Sequence, residues 1–259
     1  MSPESPETSG PLARAHQILR IPVRDEAPAQ VVTKIEHWCA SRDSRVVVCA
    51  AVLTANLARW SRRFRLAVAS ADHVTPDGMP LVWVLRRSGA TDAVRVYGPG
   101  LTLDLCAMAA RANIRVGLLG GRDDVRQQME AALLRQWPDL SIAFSESPPF
   151  RRATAREEAA LCRRVTDARV QILLVGLGCP KQELWMARNR DRLECVSVGV
   201  GAAFDFIAGE VPQAPSWMQG AGLEWLFRLV SEPRRLWRRY LLGNPAFVFA
   251  TLARMVRKR

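Results

Sequence analysis

Short runs rich in β-branched residues alternate along the chain with longer stretches in which apolar residues recur at helical spacing. The short runs predict strands over Arg45–Val52, Arg65–Ala69, Val94–Tyr97, Arg115–Leu119, Ser141–Phe144, Val170–Val175 and Val196–Val200. Between them, spaced apolar residues with polar faces predict helices over Ala29–Arg42, Met79–Ser88, Leu101–Ala112, Asp123–Gln136, Thr154–Ala168 and Lys181–Leu193. Pro28 suits the start of the first helix and Asp123 the cap of its own. Strand and helix in alternation imply an α/β fold, a Rossmann-like and mostly parallel sheet flanked by helices.

The pattern breaks beyond Gly209. Pro212, Pro215, Pro233 and Pro245 interrupt, aromatic residues crowd in, and no further β-branched run follows. The expected organisation is a disordered start over 1–20, a Rossmann-like α/β domain over 21–209, and a basic, aromatic-rich helical appendage over 210–259. The first ten residues are small, polar and proline-rich, without the basic start and apolar middle of a secretory signal. No apolar run reaches the roughly 18 residues that would span a bilayer. A protein that stays in the cytosol is expected.

Composition sharpens this in two places. The six cysteines, at 39, 49, 106, 162, 179 and 195, form no Cys-x-x-Cys pair, and most fall inside apolar runs, so they read as buried, reduced thiols. The three histidines are scattered, and no clustered Cys and His set exists for zinc. Charge is concentrated: nine basic residues and one acid, Glu232, between Arg228 and Arg259 carry +8 of the formal +12. Such a tail calls for an anionic partner, whether phospholipid headgroups, the phosphates of a small ligand, or nucleic acid.

Candidate chemistry gathers at the ends of expected strands, where backbone N–H groups and helix N-termini converge on phosphates. Three glycine turns lie there: Leu119-Gly120-Gly121, Gly176-Leu177-Gly178-Cys179-Pro180 and Gly199-Val200-Gly201. None completes a dinucleotide fingerprint or a P-loop. Asp77, in Pro76-Asp77-Gly78, reads alone as a turn aspartate or as a general base at a strand end. Thr54 and Asn56 could cap a helix, and Glu183 could simply favour a helix dipole.

Taken in order, Val52-Leu53-Thr54-Ala55-Asn56, Pro76-Asp77-Gly78, Leu119-Gly120-Gly121, Gly176 through Glu183, Gly199 through Asp205 and Gly222 through Leu229 resemble the motifs of the WecG/TagA/CpsF glycosyltransferase family. The resemblance runs from about Val46 to Arg239. It implies an inverting enzyme that moves a sugar, typically N-acetylmannosamine or its uronic acid, from a UDP donor to a polyprenyl-diphosphate-linked acceptor in cell-wall or exopolysaccharide synthesis. By the same resemblance Asp77 is the general base, with Thr54 and Gln182 beside it. Asn56, Gly120, Gly121, Gly176, Gly178 and Lys181 contact sugar or phosphate, Asp205 contacts the uracil, and Phe150 supplies an aromatic face. The chain has no Asp-x-Asp motif, so no metal or other cofactor is expected. Arg95, Arg228, Arg235 and Arg238 then meet the departing diphosphate, a role suited to the planar guanidinium fork.

Two departures from the family pattern stand out. The run Gly98-Pro99-Gly100-Leu101 lacks the acidic residue common there, and Ser147-Pro148-Pro149-Phe150 replaces a Gly-Tyr-Phe pattern. Arginines interleaved with Trp217, Trp225, Phe227, Trp237, Tyr240, Phe247 and Phe249 suit an anionic bilayer surface. The resemblance therefore implies peripheral attachment to the inner face of the plasma membrane, with no nucleic acid as partner. A nucleic-acid-binding reading would leave the ordered motifs of the sheet domain unexplained. A nucleotide-sugar epimerase or dehydrogenase would need the missing fingerprint and a Tyr-x-x-x-Lys pair.

Overall fold

The computed structural model describes residues 15–149, 151 and 153–256. In chain order the elements are β1 (Ala15–Ile18), β2 (Ile21–Arg24), α1 (Pro28–Ser41), β3 (Arg45–Ala50), α2 (Val52–Trp60), α3 (Arg62–Ala69), β4 (His73–Pro76), α4 (Met79–Arg87) and α5 (Gly98–Ala112). Then come β5 (Val116–Gly120), α6 (Asp123–Gln136), β6 (Ile142–Glu146), α7 (Ala155–Asp167), β7 (Ile172–Gly176), α8 (Lys181–Asn189), β8 (Val196–Gly199) and α9 (Ala203–Ala208). The chain ends in α10 (Ser216–Gly220), α11 (Glu224–Ser231), α12 (Pro233–Trp237), a π-helical turn over Arg238–Leu242 and α13 (Gly243–Val256).

Six strands form one sheet in the order β4-β3-β8-β7-β5-β6, every pairing parallel. The α/β class expected from the alternation is what the chain adopts. Along β3, Val46, Val48 and Ala50 enter the core on one face, with Phe64, Leu81 and Leu85. Val47 and Cys49 enter the other, with Ile35, Leu105 and Met129. A parallel strand buried on both faces reads as a continuous apolar run, which is why β3, β5, β7 and β8 are legible in the sequence. Five of the six cysteines are buried and Cys179 is half-buried; all six are free thiols.

Several expectations need correction. Arg65–Ala69 is not a strand but the body of α3: Ser61 Oγ accepts from Phe64 N at 3.2 Å, and Phe64, Ala67 and Val68 bury one helical face. Val94–Tyr97 joins no ladder; Val96 N donates to the Pro76 carbonyl at 3.0 Å and the segment otherwise runs alone. The edge strand is the four-residue β4 instead, too short for a period to register. Residues 15–18, expected within a disordered start, pair antiparallel with β2. Val52 and Asn56 belong to α2 itself rather than to a strand end and a cap, whereas Thr54, in the first turn of α2, does cap that helix by accepting from the Ala51 N–H. Beyond Gly209 the regular elements among the described residues are all helical, as the loss of β-branched runs foretells. No helix among the described residues is long and apolar enough to cross a membrane.

Candidate active site

In an open parallel sheet, ligands bind beyond the carboxyl ends of the strands. The ends of β4, β3, β8 and β7 here open into one cavity of about 500 Å³, roofed by α11, α12, the π turn and the start of α13. That volume falls within the range of small-molecule sites.

Asp77 stands on the floor, one residue past β4, its backbone N–H donating to the Ala50 carbonyl at 2.9 Å. Its carboxylate lies at the start of α5: Gly98 N donates to Oδ1 at 3.4 Å. A Cβ on Gly98 would meet the Val200 carbonyl oxygen at 3.2 Å, so the close approach of that amide suits glycine. Arg95 Nη2 lies 3.5 Å from Oδ1, its Nε donates to the Asp77 carbonyl, and its Nη1 reaches Glu224 Oε2 on α11 at 2.7 Å. The guanidinium also lies 4.1 Å from the Tyr97 ring centroid. Burial pushes the Asp77 carboxyl above the ordinary carboxylate range, the Arg95 charge opposes this, and Glu224 adds to it. A carboxylate with a raised affinity for protons, on the floor of a cleft, is suited to take one from a substrate hydroxyl.

Thr54 and Gln182 face the same cavity. Thr54 Oγ1 accepts from the Ala51 amide at 3.2 Å, which ties the start of α2 to the end of β3. Gln182 Nε2 donates to Glu183 Oε1 at 3.2 Å, leaving Gln182 Oε1 and Glu183 Oε2 buried without a partner. Unpaired buried polar atoms are costly, and these two acceptors could each take a hydrogen bond from a group entering the cavity. Burial pushes the Glu183 carboxyl up. The neighbouring Gly199 admits the Gln182 side chain: a Cβ there would stand 2.7 Å from Met186 Cε and 3.1 Å from Gln182 Nε2.

Opposite this floor, Arg228, Arg235 and Arg239 line the cavity from the C-terminal helices. The Arg228 guanidinium lies 5.1 Å from the Phe206 ring centroid, and its Nε is buried without a partner. Leu236, Tyr240 and Phe247 are buried and anchor this roof. Asp205 also lines the cavity, its carboxyl pushed up by burial. Among the described residues no three His, Cys, Asp or Glu side chains are grouped to hold a metal ion.

The structure thus gathers Asp77, Thr54, Gln182, Arg95, Gly176, Gly178, Asp205, Arg228 and Arg235 around one cavity and leaves other expected residues outside it. Asn56 donates instead to the Gly243 carbonyl at 2.8 Å, pinning the start of α13 to α2. Gly120 and Gly121 lie one strand away; Gly121 N donates to the Gly176 carbonyl at 3.2 Å, so they support the wall without lining it. Lys181 is exposed and outside the lining. Arg238 is exposed beside the Trp237 ring, and the inward cation is Arg239. Both Arg238 and Arg239 sit at helical spacing from Arg235, three and four residues on, so periodicity cannot choose between them. The π turn that begins at Arg238 sets which one faces inward. Phe150 lies outside the described residues. Sequence reading gave no role to Glu224, Tyr97 or Arg239; the signal for Glu224 was its place four residues before Arg228 on an amphipathic helix.

The model of the glycosyl transferase WecG/TagA/CpsF family matches residues 16–259, nearly the whole chain. The family match covers every element that builds the carboxylate floor, the arginine roof and the glycine-lined strand ends. The chain belongs to the WecG/TagA/CpsF family of glycosyltransferases.

Proposed function

We propose that this glycosyltransferase moves a hexosamine or related sugar, N-acetylmannosamine being the first candidate, from UDP to a polyprenyl-diphosphate-linked acceptor sugar, with inversion. The observation that carries the reading is the opposition of Asp77 to Arg228, Arg235 and Arg239 across one cavity. Asp77 takes the proton of the acceptor hydroxyl as that oxygen bonds to the anomeric carbon, and the bond from that carbon to the UDP oxygen breaks on the opposite face. The electron pair leaves with UDP, whose diphosphate gains negative charge beside the three guanidinium groups. Gln182 Oε1 and Glu183 Oε2 accept from sugar hydroxyls, and Asp205 accepts from the base. Arginine binds phosphate oxygens as a fixed fork and stays charged, so no step is routed through a metal.

The C-terminal helices carry exposed Trp217, Val230, Leu242 and Phe249 among basic residues. This supports a peripheral role on an anionic membrane, with the roof seated at the headgroup level. UDP release measured across a panel of nucleotide sugars, with a short-chain prenyl-diphosphate N-acetylglucosamine as acceptor, tests the reading. Acceptor-dependent release from one UDP-sugar supports it. Release from none of them, or release indifferent to acceptor, removes it.

A further inference from the structure

A second cavity, of about 330 Å³, lies between α4 and α13. It shares a wall with the first, since Val52, Pro80, Trp225 and Asn244 line both. From that shared wall it follows α4 outward to Arg87, about 10 Å of helical rise from Pro80. Trp83 and Val84 form one side, and Val248 and Leu252, one turn apart on α13, form the other. Trp83, Val248 and Leu252 are each about half exposed, a contiguous apolar strip that no described residue covers. The Trp83 ring is nonetheless fixed in place, because it lies over Gly222, where a Cβ would meet Cζ2 at 2.9 Å.

The chemistry of the lining selects the occupant. A docked peptide brings backbone N–H and C=O groups that need partners. The groove has few to give: Thr251 Oγ1 already donates to the Phe247 carbonyl at 2.8 Å, and Asn244 stands at the junction with the catalytic cavity. A hydrocarbon chain needs none, and gains by leaving water. Among the described residues that line the groove the one with a charge, Arg87, stands at the outer end, where headgroups of an anionic surface would meet it.

We propose that the α4–α13 groove holds the first isoprenoid units of a lipid-diphosphate acceptor, with the diphosphate at Asn244 and the acceptor sugar over Asp77. The proposal rests on the lipid-linked acceptor of the preceding section, yet it is tested separately. The probe is a benzophenone-bearing farnesyl diphosphate, photo-crosslinked to the full chain, with labelled peptides mapped by mass spectrometry. Labelling concentrates on α4 and α13, is competed by unlabelled farnesyl diphosphate, and falls at least tenfold in Val248→Trp, which fills the groove from a half-exposed position. Melting temperature and UDP affinity establish that the variant is folded. In turnover, Val248→Trp raises KM for a farnesyl-diphosphate-linked acceptor at least tenfold while kcat stays within twofold, a split that a loss of structure would not give.

Labelling that is scattered, not competed or unchanged in the variant overturns the proposal, as does self-association of the chain that Val248→Trp abolishes, which would assign the strip to a second copy. Groove labelling without any sugar transfer would retain the groove and sink the transferase reading. Transfer with labelling elsewhere would do the reverse.

Discussion

Arg95 holds Asp77 at two points, its Nε on the backbone carbonyl and its Nη2 3.5 Å from Oδ1, while its Nη1 ties both to Glu224 on the roof. The proposed base and the C-terminal helices are therefore linked through one guanidinium. The Tyr97 ring, 4.1 Å from the Arg95 guanidinium carbon, adds a cation–π contact to that fork.

The link sets the direction of a pH shift. Asp77 must be ionised to accept a proton, so kcat/KM falls as pH drops through its pKa, which burial holds above the ordinary 3.8. Glu224 raises that pKa and Arg95 lowers it. Glu224→Gln should move the acid limb of the pH–rate profile to lower pH, and Arg95→Gln should move it to higher pH. Profiles of the two variants measured against the parent chain check this, and limbs that move together would separate Asp77 from the limb.

Charge on the roof gives a second expectation. Arg239 lines the cavity and Arg238 does not. Arg239→Ala should weaken UDP binding at least tenfold, in keeping with about 1.5–3 kcal/mol for a hydrogen bond to a charged group, whereas Arg238→Ala should stay within about twofold. Isothermal titration of UDP with both variants decides which arginine meets the diphosphate.

Glu183 pairs one oxygen with Gln182 and leaves the other unpaired in a buried place. Burial raises its folded pKa above the ordinary 4.5, so the folded state holds the proton more tightly than the unfolded one. Its contribution to stability is greatest below the unfolded pKa and is lost as pH rises toward the folded one. At neutral pH Glu183→Gln should therefore be more stable than the parent by about 1 kcal/mol, some 2–4 °C in Tm. The gap should close as pH falls to about 4. A variant less stable at every pH would show that the carboxylate is stabilised by its surroundings.

Gly120 tests the reassignment from ligand contact to support. Its φ is +124°, and a Cβ would lie 2.6 Å from the Gly176 carbonyl, where backbone has no room to yield. Gly120→Ala should cost at least about 2 kcal/mol in unfolding free energy, with any loss of UDP affinity tracking the unfolded fraction. Normal stability with lost UDP binding would restore the glycine to the site.

What the sequence carries legibly follows from these particulars. The doubly buried strands declare themselves because their whole length is apolar, and Asp77 is found because the ordered motifs supply its company. Arg65–Ala69 misleads because five residues, Arg-Leu-Ala-Val-Ala, are too few to show the helical spacing of Phe64, Ala67 and Val68. Asn56 and Lys181 share a motif with true lining residues, yet a motif does not say which neighbour faces inward. The roof is the least legible part: Glu224 and Arg239 acquire their places only when α11, α12 and the π turn fold back over the strand ends.

In the proposed reaction everything turns on Asp77 as the base. Turnover of Asp77→Asn, measured with the donor and acceptor that support the parent chain and alongside its UDP affinity, tests this most directly. Loss of the carboxylate should lower kcat roughly 10²–10⁴-fold, with UDP affinity within about threefold of the parent. Retained turnover would contradict it and move the proton to another group in the cavity.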